Sequence, residues 1–244
     1  MVNKFIVGVD EVGRGPIAGP IYSAAFATSI KKLIDLKNQV ETEILNQKLS
    51  KLDYKRLKRL LKLINYDLKR ININNKKNVN ANKHNFNLDI LKHLQDSKKI
   101  TKINKNLLAK YSNEVGEFSI KKVEACKIDL VGIQKANVLC MTHCVRETIK
   151  KVGETNIIYI FSDKTYGIPN YWKIIKKGDS KSFVIAYASV IAKVARDKLM
   201  ISLHKKYPKY GWETNVGYGT KKHVEAIKKY GITKIHRKSF INKK

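Results

Sequence analysis

Cysteine, histidine and acidic side chains are scarce in this chain, and no apolar run is long. Cys126, Cys140 and Cys144 are an odd number without paired spacing, which excludes a disulfide framework and fits a reducing, cytoplasmic setting. Cys140 and Cys144 stand one helical turn apart with His143 between them. A zinc site there would lack a fourth ligand and a second cysteine pair, so the pair reads as core packing. No stretch approaches about 18 apolar residues, which excludes a helical membrane span. Met1-Val-Asn-Lys4 leads straight into an apolar run, without the charged and then apolar pattern of a signal peptide. The 6 histidines do not cluster, and no serine, histidine and aspartate set accompanies a nucleophile turn, so covalent hydrolysis finds no support. The 20 Asp and Glu stand against 50 Lys and Arg in 244 residues, a net charge of +30. Such a surplus suggests a polyanionic partner, by default a nucleic acid. The bland alternative is that Lys and Asn enrichment reflects genome composition.

What the chain does contain is organised around Phe5-Ile-Val-Gly-Val-Asp10-Glu11-Val-Gly13-Arg14-Gly15. The apolar run fits a buried strand and delivers two adjacent carboxylates to a turn whose glycines leave the backbone bare. Side chains alternate across a strand, so Asp10 and Glu11 would point to opposite faces if the strand continued unchanged. Adjacent acids repel unless a cation or a proton separates them, and oxygen ligands suit a hard ion such as Mg²⁺ or Mn²⁺. Gly13-x-Gly15-x-x-Ala18 imitates a dinucleotide fingerprint. That motif needs a helix immediately after it, and Pro16, Pro20 and the β-rich run from Ile21 oppose one.

Further along, Ile21 to Thr28 reads as a second strand. Leu57, Leu60, Leu61, Ile64 and Leu68 then mark an amphipathic helix. Arg70 to Asn87 is dense in Asn and Lys, with little apolar content to offset ordering, and reads as a flexible tip. Phe118 to Ile128 reads as a strand running into a turn. Ile133, Ala136, Cys140, Cys144 and Thr148 form the inward stripe of a helix. Ile157 to Phe161 is a buried strand ending in Ser162-Asp163, and Trp172 to Ile175 a short strand leading to Asp179. Val184, Ala188, Ile191, Ala192 and Ala195 form a small-residue helical stripe. Strands interleaved with helices describe an α/β sheet with acids gathered at strand ends. Four carboxylates, Asp10, Glu11, Asp163 and Asp179, could therefore converge at one edge as an oxygen-only site for divalent ions and an activated water.

The opening motif, Asp96-Ser97-Lys98-Lys99, Ala188 to Asp197, Gly217-Tyr218-Gly219-Thr220 and His236-Arg237-Lys-Ser239-Phe240 together resemble the type 2 ribonucleases H, bacterial ribonuclease HII in particular. Lys48-Leu49-Ser50 imitates part of the second motif but lacks the preceding Asp-Ser. The resemblance covers about three quarters of the chain. It implies a ribonuclease H-like α/β fold, a mixed sheet flanked by helices, with residues 1–205 as catalytic domain and 206–244 as a C-terminal helical segment that helps bind substrate. Residues 29–93, rich in Lys and Asn, would hold an insertion of roughly fifty residues. The activity implied is metal-dependent endonucleolytic cleavage of RNA in RNA/DNA hybrids, and nicking 5′ of ribonucleotides embedded in duplex DNA, leaving 5′-phosphate and 3′-hydroxyl ends. That is work for DNA replication and ribonucleotide excision, by a monomer in the cytoplasm.

By the same resemblance Asp10, Glu11, Asp163 and Asp179 are catalytic and hold two Mn²⁺ or Mg²⁺ ions. Gly13, Arg14, Gly15 and Tyr218 would read the ribonucleotide, with Lys98, Ser189 and Lys193 as further substrate contacts. Asp197 is a rival fourth acid, but it lies about five helical turns beyond Asp179 and reads as structural, paired with a basic neighbour. Lys164 stands where the family usually has Gly after the third acid. Ribonuclease HIII fits less well, since the fourth acid is Asp. The remaining alternative is a non-catalytic basic nucleic-acid-binding protein on the same fold, which would explain the charge but not four spaced acids.

Overall fold

The computed structural model describes residues 4–45, 49–71, 84–94, 100–163 and 166–241. Lys48, Lys98 with its Asp96 to Lys99 motif, Lys164, and residues 72–83 of the Asn-rich stretch lie outside the described residues.

In chain order the elements are β1 (Phe5–Val12), β2 (Ile21–Ser29), α1 (Ile30–Leu45), α2 (Lys51–Arg70), α3 (Leu88–Leu91), α4 (Lys102–Lys110), α5 (Ser112–Val115), β3 (Glu117–Val123), α6 (Ala125–Val131), α7 (Ile133–Val152), β4 (Ile157–Ser162), β5 (Lys173–Ile174), α8 (Phe183–Lys206), α9 (Trp212–Asn215), α10 (Lys221–Tyr230) and α11 (Lys238–Ile241). The strands form one mixed sheet in the order β3-β2-β1-β4-β5. β1 pairs antiparallel with β2 and parallel with β4. This is the mixed sheet flanked by helices that the family resemblance implies.

β1 is central and therefore apolar on both faces. Ile6 joins Ala24, Phe26 and the buried length of α8 in the larger core. Val7 and Val9 pack with Met141, Cys144 and Val145 of α7 on the opposite side. Gly8 lets α8 approach, because a Cβ there would collide with the Val184 backbone. Asp10 shares the parity of Ile6 and Gly8, so its side chain leaves the strand on the α8 face.

α2 is the amphipathic helix read from the sequence, with Leu57, Leu60, Ile64 and Leu68 buried. Its Ser50 cap accepts from the Asp53 N–H. Together with Leu33 and Leu36 of α1 these residues enter the same core as Ile6 and Phe26. Both α1 and α2 of the 29–93 stretch are thus built into the main core. The described end of the expected flexible tip is also tied down. Phe86 is buried and bonded through both backbone groups to the Gln39 amide (3.0 and 2.7 Å), and His84 meets Asp35 at 2.9 Å. One aromatic side chain and one amide anchor residues 84–87, the described end of that stretch.

Three local expectations are corrected. The turn expected by Ile128 is helix α6, closed by Gly132 in a positive-φ conformation (79°) before α7. The strand expected over Trp172 to Ile175 pairs only at Lys173–Ile174, because the Trp172 N–H is taken by Pro169 in a turn. Asp179 lies in a single 3-10 turn, Gly178–Ser180, entered through left-handed Lys177 (φ 57°), and not at the strand end. Cys140 and Cys144 are buried and point at the Lys121 and Ser23 carbonyls, while His143 is exposed. They pack, as expected. Among the described residues no helix is long and apolar enough to cross a membrane.

Candidate active site

β4 stops at Ser162, which pairs with Val9, so β1 overhangs it by the residues that carry the acids. Asp163 follows one residue past that pair and turns its carboxylate toward the overhang. One oxygen each from Asp10, Glu11 and Asp163 lie within 4.8 Å of one another. Although Asp10 and Glu11 leave β1 with opposite parity, both reach this group, because on the β4 side the strand has no further neighbour.

Asp10 is only 6% exposed. Burial pushes its carboxyl well above the usual range, and the charges of Glu11 and Asp163 push it further. Hydrogen bonds from the Ser189 hydroxyl and the Glu11 backbone pull it partly back. Three acids crowded this way repel unless a cation or a proton separates them, and with oxygen-only donors they fit a hard divalent ion. Asp179 is not in the 4.8 Å group. Its turn nonetheless abuts it, since a Cβ on Gly178 would lie 3.2 Å from the Asp163 Cβ.

Ser189 is thus engaged with a carboxylate. Lys193, one helical turn on, pairs with Asp197 at 2.6 Å, which gives Asp197 the basic partner expected of it. An ammonium has three donors, so Lys193 keeps capacity for another acceptor.

The glycine turn follows directly. Gly13 has φ +94°, and a Cβ there would strike the Arg196 guanidinium, so only glycine fits. Gly13 is buried, whereas Arg14 and Gly15 are exposed. A Cβ on Gly15 would lie 3.5 Å from the Tyr218 ring, and Tyr218 is 46% exposed. The two motifs, some two hundred residues apart in the chain, thus lie side by side at the surface.

Sequence reasoning missed what holds this turn. Arg196 donates to the carbonyls of Pro20, Val216 and Ala18 at 3.1, 2.9 and 3.2 Å. Arg237 donates to those of Gly19, Arg14 and Gly13 at 2.8, 3.1 and 2.7 Å. Both are fully buried. Burial and the neighbouring Arg196 charge bring Arg237 down to about 9. Arg196 could have been found, because it continues the inward row Ala188, Ala192 at four-residue spacing. Arg237 carries no periodic signal.

The model of the family described as ribonuclease HII matches residues 87–243. A ribonuclease HII of Pelagibacter ubique is 32% identical over 238 residues, covering 97% of this chain and 96% of that one. A ribonuclease HII of Clostridium acetobutylicum is 35% identical over 240 residues, covering 98% and 73%. Among solved structures, the ribonuclease HII of Archaeoglobus fulgidus, determined in complex with PCNA, superposes with a TM-score of 0.59 at 18% identity, over 97% of this chain and 94% of that one. Bst-RNase HIII in complex with Mn²⁺ superposes at 0.60 and 14%, over 99% and 68%. At those identities the two structures share the fold alone. The full-length sequence relatives go further: the chain belongs to the ribonuclease HII family, and is with it an endoribonuclease, a phosphodiester hydrolase.

Proposed function

We propose that the protein is a metal-dependent endonuclease that hydrolyses the RNA strand of RNA/DNA hybrids and nicks 5′ of ribonucleotides embedded in duplex DNA, leaving 5′-phosphate and 3′-hydroxyl ends. The observation that carries the reading is the group of Asp10, Glu11 and Asp163 oxygens within 4.8 Å, set beside a bare glycine turn. These three, with Asp179 from the adjoining 3-10 turn, would hold two Mn²⁺ or Mg²⁺ ions. Such ions supply Lewis-acid activation of water and neutralise charge on the leaving oxygen.

The chain's own groups do the rest. Ser189 orients the Asp10 carboxylate by its hydrogen bond. Exposed Arg14 is placed for a phosphate, for which a guanidinium fork is well suited. The bare backbone at Gly15 admits a sugar edge carrying a 2′-hydroxyl, the group that distinguishes RNA from DNA. The Tyr218 ring offers a flat apolar face to the sugar that follows. Lys193 is a further phosphate donor, and Lys98 is proposed from its motif alone. The net charge of +30 supplies the long-range attraction. Residues 206–244 contribute through Tyr218, so the C-terminal segment belongs to the substrate site. We place the protein in the cytoplasm as a monomer.

The test is a duplex carrying one ribonucleotide, incubated with Mn²⁺ or with chelator. A nick 5′ of the ribonucleotide, only with metal and with a 3′-hydroxyl end, is expected. Stable binding without any nick at any metal concentration would overturn the reading in favour of a binding protein.

A further inference from the structure

Tyr218 presents an exposed ring on a backbone held from every side. Its N–H donates to the Asn215 carbonyl at 2.8 Å, and the Gly217 carbonyl before it accepts from Ile17 and Ala18 at 2.9 and 3.1 Å. Val216, a β-branched residue at φ 41°, sits in the left-handed region. Such a conformation is strained and persists only where its surroundings impose it.

The last restraint comes from two buried histidines that take no part in the carboxylate group. An indole N–H can only donate. Trp212 directs its own at His223 Nε2, at 3.1 Å, so that nitrogen is bare and the proton sits on Nδ1. Nδ1 in turn lies 2.8 Å from the Tyr218 carbonyl oxygen and donates to it. His236 Nδ1 accepts from the Thr233 N–H at 2.9 Å. Its proton is therefore on Nε2, directed at His223 Nε2 at 3.2 Å. His223 and His236 are 0% and 2% exposed, and burial holds both below the ordinary histidine range. With both rings neutral, the Trp212 N–H and the His236 Nε2–H share the single lone pair of His223 Nε2, and the His223 Nδ1–H has the Tyr218 carbonyl to itself; a proton added to His223 Nε2 would leave the Trp212 N–H facing another donor. His236 also forms a β-bridge with Ala18, on the flank of the glycine turn.

We propose that His223, seconded by His236, is a positioning residue for ribonucleotide recognition: the neutral imidazole relay from Trp212 fixes the Tyr218 carbonyl, and so aims its ring at Gly15. This rests on the sensing role proposed for Tyr218. A continuous hybrid offers many ribonucleotides and tolerates a misplaced ring. A lone ribonucleotide offers one register, where a small displacement is expensive.

The readout is the ratio of kcat/KM on a duplex with one ribonucleotide to that on a continuous hybrid, which a mere loss of folded protein would not change. Tyr218→Ala is the reference. His223→Leu should lower the ratio about tenfold, the size of one lost hydrogen bond. His223→Asn, whose amide can still donate to the Tyr218 carbonyl, should recover most of it. If His223→Leu fails to fold, Trp212→Phe takes its place, with a smaller fall expected. In the unaltered protein, histidine ¹⁵N NMR at neutral pH should show His223 protonated on Nδ1 and His236 on Nε2. A ratio lowered by Tyr218→Ala but untouched by the His223 and Trp212 variants overturns the relay and leaves the sensing role standing. A ratio untouched by Tyr218→Ala removes the sensing role, and the relay falls with it. The opposite tautomers, or a charged imidazole, would also overturn it.

Discussion

Replacing Asp67 by Asn should change how stability depends on pH, with a sign that the structure fixes. Asp67 belongs to α2, is 0% exposed, and accepts the Val184 N–H at 3.2 Å at the start of α8. Burial raises its carboxyl from 3.8 to about 7, against the opposing pull of hydrogen bonds from Ser182, Val184 and Phe183. Below pH 3.8 the group is protonated whether the chain is folded or not, and contributes nothing. Between 3.8 and about 7 the unfolded chain loses its proton while the folded one keeps it, so stability falls as pH rises. At about 1.4 kcal/mol per pH unit the whole effect is on the order of 4 kcal/mol, complete above the folded value. Asp67→Asn removes this titration. Urea unfolding of both proteins from pH 4.5 to pH 8 should show the stability of the Asn variant rising relative to the parent with pH, by about 3 kcal/mol across that range. The fixed consequences of the amide cancel in the slope. A difference that stays constant would refute the reasoning. So would one of opposite sign, which would mean that the α8 N-terminus stabilises the carboxylate more than burial penalises it.

Two further outcomes test the framework around the site. Arg237→Met would strip three turn carbonyls of their donor and should lower unfolding free energy by about 3 kcal/mol or more in urea melts; a loss under about 1 kcal/mol would mean that the turn does not depend on that side chain. Lys55, Lys58 and Lys62 are exposed on α2, and replacing all three by Gln tests whether this helix extends the duplex-binding surface. The slope of log affinity for a hybrid against log salt should then fall by about 2 to 3 in magnitude. An unchanged slope would confine binding to other faces.

Much of the fold was legible because its strands are short apolar runs ending in acids, and its helices carry clean stripes. Asp10, Glu11 and Asp163 could be read as one group from chemistry alone, since carboxylates at neighbouring strand ends have few other reasons to be there. What stayed hidden depends on long-range partners. Arg237 looks like one more cation in a basic chain until its carbonyl acceptors are seen. Asp67 looks like an ordinary surface acid on a lysine-rich helix until α8 covers it. His223 and His236 are thirteen residues apart, and only the packing of Trp212 reveals that they share one hydrogen-bond chain. The position of Asp179 was misread for a related reason: the backbone after β5 turns through left-handed Lys177, where no glycine announces it.

Titrating Mn²⁺ into the protein and into Asp10→Asn by calorimetry, with cleavage of a single-ribonucleotide duplex followed in parallel, tests most directly whether the clustered acids form one cation site. The parent should bind saturably. The variant should lose affinity by about a hundredfold or more and lose cleavage, while still binding hybrid. An Asn variant that binds Mn²⁺ and cuts like the parent would contradict the account.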